Sequence, residues 1–581
     1  MTLQQEIEAA MSAAFSQVIG AATAAPVVPA ADLRFGDYQC NAAMALAKER
    51  KTNPRELATQ VVAAVDLAGL GVAEIAGPGF INIRVSPEAF SRRIGALLGD
   101  DRLGVPECGQ GRTVVMDFSA PNVAKPMHVG HIRSTIIGDA LTRISRFLGY
   151  RVITDNHIGD WGTQFGMILH GWKTVLDQAA LERDPIAELL RVYRDVNASA
   201  KSDPAVMDVC RRELVALQGG DEENLAIWRR CVELSRQGLQ KIYDRLDVSF
   251  DHWLGESFYN DRLAPLVDEF LEKGLARESD GAVCIFSGGD LPAEQDPFRV
   301  HNKEGWSDNP AIIRKADGGF LYATTDLATL DFRIREWGAE AIWYVVGLPQ
   351  ALHFRQIFDA CRRWGRVGDF RHIGFGSILG EDRKLMKTRS GDNVGLIEVL
   401  DEAVERAAQV VAEKNPDLPA EEAAEIAEAI GIGAVKFAEL SQNRLSDYIF
   451  AWDRMLALQG DTAPYLQNSY VRTRAIFRKL EGSFETAGIE VALTEEREIN
   501  LARLAIRYGE VVPTVLEDHR PNVLANYLLE LARAFHSFYE ACPVLKAEEA
   551  VRTSRLALCE VTSRILGHGL GLLGIRCPER M

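Results

Sequence analysis

The spacing of apolar positions changes several times along the chain, and each change predicts an element. Residues 113–118, "TVVMDF", are a short β-branched run that reads as a strand. A polar loop follows, and then Ile132, Ile136, Ala140, Ile144 and Phe147 recur every three or four positions. That period predicts a helix, with Gly149 placed for a left-handed C-cap. "YRVITDNHIGDWG" next reads as a strand that ends in a glycine-rich turn. Strand, loop, helix and strand in this order make a βαβ unit, so a parallel sheet is expected. Residues 171–300 read as largely charged and helical, an insertion that interrupts the alternation. The alternation resumes with "GGFLYATTDLATLDFRIREWG", expected as a strand and helix, and then with "AIWYVVG", "QALHFRQIFDACRRWG" and "RHIGFGSIL". No strand is expected beyond about 395, where an acidic helix leads into an all-helical tail. Residues 1–106 mix alanine-rich helical stretches with the strand-like "GFINIRVS", and 104–112 form a Gly/Pro-rich linker.

Composition narrows this picture. The 581 residues carry a net charge of -17, which excludes a generally basic nucleic-acid coat but leaves a local patch possible. Residues 461–581 hold 15 Lys and Arg against 16 Asp and Glu, a net of -1, so the remaining -16 lies in 1–460. The nine cysteines are odd in number and show no Cys-x-x-Cys pair, which predicts free thiols in a reducing compartment. Acidic residues occupy the N-terminus where a signal peptide would be basic, and no apolar run of about 20 residues occurs. A cytoplasmic chain without membrane contact is expected.

The chemistry concentrates in "SAPNVAKPMHVGH", residues 119–131, between the first strand and its helix. In open α/β sheets, ligands sit beyond the strand ends where a helix N-terminus offers free N–H groups. Gly130 admits close backbone approach, His128 and His131 place imidazoles at the helix start, and Lys125 adds a mobile cation. A nucleotide phosphate site is the favoured reading. A metal site and a plain capped turn stay open, although the stretch has no cysteine or carboxylate to complete a zinc set.

Proline, asparagine, lysine and "HVGH" together resemble the first signature of class I aminoacyl-tRNA synthetases. The longer string "SAPNVAKPMHVGHIRSTIIGDAL" is similar to the arginyl-tRNA synthetase family in particular. "FGDYQCNAAMALAK" (35–48), "NHIGDWGTQFG" (156–166), "YATTDLAT" (322–329), "GLPQALHF" (347–354), "APYLQNSYVRTRAI" and the closing "LLGIRCPERM" extend the resemblance across the chain in the family's order. It implies an α/β Rossmann-like catalytic domain over 107–394, split by the insertion at about 171–300. An α/β N-terminal domain (1–106) that contacts the tRNA elbow, a helical connector (395–460) and an all-α anticodon-binding bundle (461–581) complete the expected order.

The implied activity is arginine–tRNA ligation in two steps, with ATP and Mg2+, L-arginine and tRNA(Arg) as partners. No protein-bound zinc is expected, and a monomer is. His128, Gly130, His131 and Lys387 would hold ATP, with His128, His131, Lys125, Lys387 and Arg389 as the catalytic set. Asp117, Asn122, Asn156, Tyr322, Asp326 and Gln350 would bind arginine, Asp117 and Asp326 supplying carboxylates for the guanidinium. From the residues alone, Asp326 after two threonines also reads as a helix N-cap. The second signature departs from Lys-Met-Ser-Lys-Ser: "EDRKLMKTRSGDNV" (381–394) stands in its place, and Lys125 is implied to compensate. Tyr465, Tyr470, Arg472, Arg474, Arg478 and Lys479 offer stacking surfaces and charge for RNA. A synthetase for another amino acid and a non-catalytic tRNA-binding paralogue are the rival readings. A glutamate pocket would need cations where Asp117 and Asp326 stand.

Overall fold

The protein, described by a computed structural model, is traced over residues 1–162, 164–380, 382–384, 386 and 394–581. It divides into two units, one comprising 109–410 with 431–456, the other 1–108 with 411–430 and 457–581.

The first unit holds a parallel sheet of β1 (Thr113–Phe118), β2 (Arg151–Asp155), β3 (Ala341–Val345) and β4 (Asp369–His372), in the order β4-β3-β1-β2. Every residue of β1 and β3 is buried, as expected for central strands covered on both faces. Three helices connect the strands: α1 (Gly130–Phe147) after β1, α2 (Tyr322–Trp337) before β3 and α3 (Ala351–Arg363) after it. Gly149 ends α1 at φ +87°. The chain leaves β1 toward β2 on one side and returns to β3 on the other. A switch point therefore lies between the carboxyl ends of β1 and β3, where ligand crevices form in open parallel sheets.

Three expectations need correction. "FLY" is not a strand: α2 begins at Tyr322, so Asp326 lies inside the helix and is not its N-cap. The Thr324 hydroxyl donates instead to the Ile313 carbonyl at 2.5 Å. The insertion is helical only as far as Glu272 and then forms short antiparallel strands, including Arg277–Ser279, Ala282–Ile285 and Arg299–Asn302. A two-residue strand, Tyr448–Ile449, does follow residue 395 and pairs in parallel with Ile378–Leu379. Strands of two to four residues are too short to establish a period in sequence.

The second unit joins a four-stranded antiparallel sheet, containing Tyr38–Cys40 and Phe80–Val85, to a helical bundle. Asp37 Oδ1 accepts from Arg503 Nε at 2.5 Å, and the Tyr38 hydroxyl donates to Glu510 Oε1 at 2.8 Å. "FGDYQC" therefore spends these two side chains on tying the sheet to the helices.

Candidate active site

The loop between β1 and α1 has an unusual backbone. Ser119, Ala120 and Ala124 have φ of 73°, 45° and 60°, a region that costs non-glycine residues about 1 kcal/mol or more each. Surrounding groups hold the loop in place. Val123 N–H donates to the Gly159 carbonyl at 3.0 Å and Gly159 N–H to the Pro121 carbonyl at 3.1 Å, which knits the loop to the turn after β2. A Cβ on Gly159 would lie 2.4 Å from Asn122 Oδ1, so only glycine leaves room for the Asn122 carboxamide. Asn122 itself is exposed.

The rings of the two signature histidines pack at 4.0 Å between centroids, tilted by 44°. Gly130 N–H donates to His128 Nδ1 at 3.1 Å, and His128 N–H donates to His131 Nδ1 at 3.1 Å. His131 Nδ1 also lies 3.3 Å from the His128 carbonyl; with the closer His128 N–H as its partner, Nδ1 accepts in both rings and the proton sits on Nε2, which leaves each an N–H donor for a ligand oxygen. Burial lowers His128 below the usual histidine range, and burial together with its neighbour His128 lowers His131 to about 4. Near neutral pH the pair offers neutral N–H donors, not cations. The glycine at 130 leaves room for the His128 ring. A Cβ there would stand 2.8 Å from His128 Cε1.

The far end of the second signature is fastened to this loop. Val129 N–H donates to the Val394 carbonyl, and Leu396 N–H to the Met127 carbonyl, both at 2.9 Å. Lys387 and Arg389 lie outside the described residues. Lys125 Nζ sits 5.1 Å from the Tyr193 ring centroid, a cation–π contact to the insertion.

Across the switch point, Tyr322 and Asp326 stand one turn apart on α2, with Tyr322 65% exposed. His353 Nε2 lies 2.5 Å from Asp326 Oδ2 and its ring 5.1 Å from that of Tyr322. Gln350 is exposed in the short turn before α3. Glu256 belongs to the same neighbourhood: burial raises its carboxyl, His157 opposes the shift, and Asp160 and Asp326 reinforce it. Neither His353 nor Glu256 was anticipated from sequence, although His353 lies inside "GLPQALHF". Glu256 sits in the insertion with no local pattern to mark it.

Two further residues expected to bind arginine, Asp117 and Asn156, have partners within the chain. Asp117 is buried and accepts from Arg333 Nη2 at 2.6 Å, and the same nitrogen donates to Asp155 at 2.8 Å. Burial raises the Asp117 carboxyl, with Arg333 opposing, and its acceptor is turned to a cation of this chain. Asn156 is fully buried: its Oδ1 accepts from Ala120 N–H at 3.1 Å and its Nδ2 donates to the Tyr243 hydroxyl at 3.1 Å. Both side chains stand at strand ends and are buried. Among the described residues no group of three or more His, Cys, Asp or Glu side chains is arranged to hold a metal ion.

Residues 93–452 match the family described as tRNA synthetases class I (R), catalytic domain, and residues 1–85 match the arginyl tRNA synthetase N terminal domain. Residues 466–581 match the DALR anticodon binding domain. The chain is 46% identical over 566 residues to an arginine–tRNA ligase of Cellvibrio japonicus, covering 96% of this chain and 95% of that one. This chain belongs to the arginyl class I tRNA synthetases. A similar relative from Laribacter hongkongensis is 45% identical over 588 residues, with 100% of both chains covered. The solved arginyl-tRNA synthetase of Plasmodium falciparum superposes with a TM-score of 0.83 at 28% identity, covering 100% of this synthetase and 99% of that chain. In the synthetase's helical bundle, several side chains expected to face RNA have partners of their own. Arg474 lies 3.4 Å from Glu560, Arg478 Nη1 donates to the Glu579 carbonyl at 3.0 Å, and the Tyr465 ring lies 5.3 Å from that of His536. No helix among the described residues is long and apolar enough to cross a membrane.

Proposed function

We propose that this synthetase is an arginine–tRNA ligase, acting on L-arginine, ATP and tRNA(Arg). The observation that carries the arginine choice is the carboxylate cluster at the crevice mouth. Asp326, whose Oδ2 lies 2.5 Å from His353 Nε2, sits one turn from Tyr322 on α2, and the carboxyl of Glu256 belongs to the same neighbourhood. A planar guanidinium is the cation whose fork geometry matches paired carboxylates, and the tyrosine offers it a stacking face. Asn122 and Gln350, both exposed polar ends at the switch point, would hold the amino acid's α-amino and carboxylate end.

In the first step an arginine carboxylate oxygen attacks the α-phosphorus of ATP. The bond from that phosphorus to the bridging oxygen breaks, and pyrophosphate leaves. No protein nucleophile is required, so catalysis is positioning and charge stabilisation. The Nε2–H groups of His128 and His131 would donate to phosphate oxygens as charge builds there. Lys125, Lys387 and Arg389 would provide the cations toward the departing pyrophosphate. Mg2+ bound to the triphosphate itself would supply further neutralisation. In the second step the 2′-hydroxyl of the terminal tRNA adenosine attacks the arginyl carbonyl and AMP leaves.

The test is aminoacylation of a tRNA(Arg) transcript with each amino acid in turn. Charging by arginine alone is expected, and charging by another amino acid would overturn the reading.

A further inference from the structure

The strained loop that carries Asn122 and leads to His128 is gripped by one helix of the insertion, Glu222–Arg245. Two buried side chains of that helix reach it. Ser235 Oγ accepts from Ala124 N–H at 2.9 Å while donating to the Cys231 carbonyl at 2.7 Å. The Tyr243 hydroxyl lies 2.7 Å from Ser119 Oγ and accepts from Asn156 Nδ2 at 3.1 Å.

The direction of the Asn156 bond follows from the groups. Asn156 Oδ1 is taken by Ala120 N–H, so its amide faces Tyr243 as donor, and the tyrosine and Ser119 hydroxyls share a bond in which either can donate. The Ser119 hydroxyl in turn lies 2.9 Å from that of Thr135 on α1. All three left-handed residues are thereby fixed: Ser119 and Ala120 by the Tyr243–Asn156 pair, Ala124 by Ser235. The Tyr243 ring is itself held by Phe250 and Trp253 at 5.1 and 5.6 Å, so the hydroxyl is aimed independently of the loop.

We infer that Tyr243 and Ser235 are positioning residues for arginine activation. The insertion uses them to hold the loop in its strained, ligand-ready conformation. This rests on the arginine-activating reading, and the two fail separately: the wild-type enzyme tests that reading, and the ratio of variant to wild type tests the clamp.

The experiment measures arginine-dependent ATP–pyrophosphate exchange, in the presence of tRNA, for the full chain and its Tyr243→Phe variant. The phenyl ring keeps the packing and loses only the two hydroxyl contacts. We expect kcat to fall about ten-fold, the equivalent of one buried hydrogen bond, with the thermal midpoint little moved. The second arm distinguishes positioning from bulk stability. Glycine adopts positive φ without penalty, so Ala120→Gly in the Tyr243→Phe background should restore kcat at least three-fold. Ser119→Ala should fail to add to Tyr243→Phe. A Tyr243→Phe enzyme within two-fold of wild type would overturn the proposal. So would a loss that follows the thermal midpoint and that Ala120→Gly does not relieve.

Discussion

Gly130→Ala separates the stability of this protein from its chemistry. The glycine opens α1 with an ordinary backbone conformation, so alanine meets no φ penalty. What the new Cβ meets is the His128 ring, 2.8 Å away at Cε1 and 2.9 Å at Nδ1. Ordinary contact begins near 3.4 Å, so the imidazole must retreat by about 0.6 Å or more, 3.4 less 2.8. Retreat also weakens the bond from Gly130 N–H that fixes the proton on Nε2. For folding, a loss of about 1 kcal/mol from that hydrogen bond is offset only in part by replacing glycine, because Gly130 is the first residue of α1. Stability should therefore be unchanged within about 1 kcal/mol. Catalysis should not be: displacing a positioned group by about 1 Å costs about 100-fold, so a retreat of about 0.6 Å should cost about ten-fold or more. The assay is ATP–pyrophosphate exchange alongside chemical denaturation. Exchange within three-fold of wild type, or a loss of activity matched by unfolding, would refute the reasoning.

Other expectations follow from the same contacts. If Asp326 pairs with the guanidinium as proposed, Asp326→Asn should raise the KM for arginine about 100-fold while leaving the KM for ATP nearly unchanged, as measured by exchange kinetics. Arg133 and Glu439 form an ion pair at 3.0 Å with side chains 1% and 0% exposed. Arg133→Met should cost about 3–5 kcal/mol in urea denaturation, and adding Glu439→Leu should recover only part of it, because the buried Tyr448 hydroxyl then loses its acceptor. Burial lowers both His131 and His568 to about 4, Arg102 and Arg564 adding to the effect at His568. The unfolded chain then binds more protons than the folded one between about pH 6.5 and 4, so stability should decline as pH falls through that window. His568→Asn should flatten the decline, by up to about 1.4 kcal/mol per pH unit; an unchanged slope would count against it.

The β1–loop–α1 segment was legible because its apolar period changes abruptly and its glycines fall at the boundaries. Its chemistry was legible because two histidines, a glycine and a lysine crowd one strand end. Depth was not legible. Asp117 and Asn156 occupy strand ends just as a ligand residue would, and only packing shows that Arg333 and Tyr243 already engage them. The start of α2 was misplaced because Thr324 and Thr325 resemble caps in sequence, whereas the Thr324 hydroxyl bonds a strand carbonyl remote in the chain. His353 and Glu256 could not be paired with Asp326 from sequence, since their proximity is created by the sheet crossover and by the insertion. The role of Ser235 and Tyr243 was hidden for the same reason: a serine and a tyrosine on a charged helix carry no signal until the loop they hold is in view.

The most direct measurement of the central claim is ATP–pyrophosphate exchange by the purified full chain with each amino acid, run with and without tRNA(Arg). Exchange driven by arginine alone, and abolished by Asp326→Ala in a protein that stays folded, is expected. Exchange driven by another amino acid, or arginine exchange that survives Asp326→Ala with unchanged kinetics, would contradict that claim.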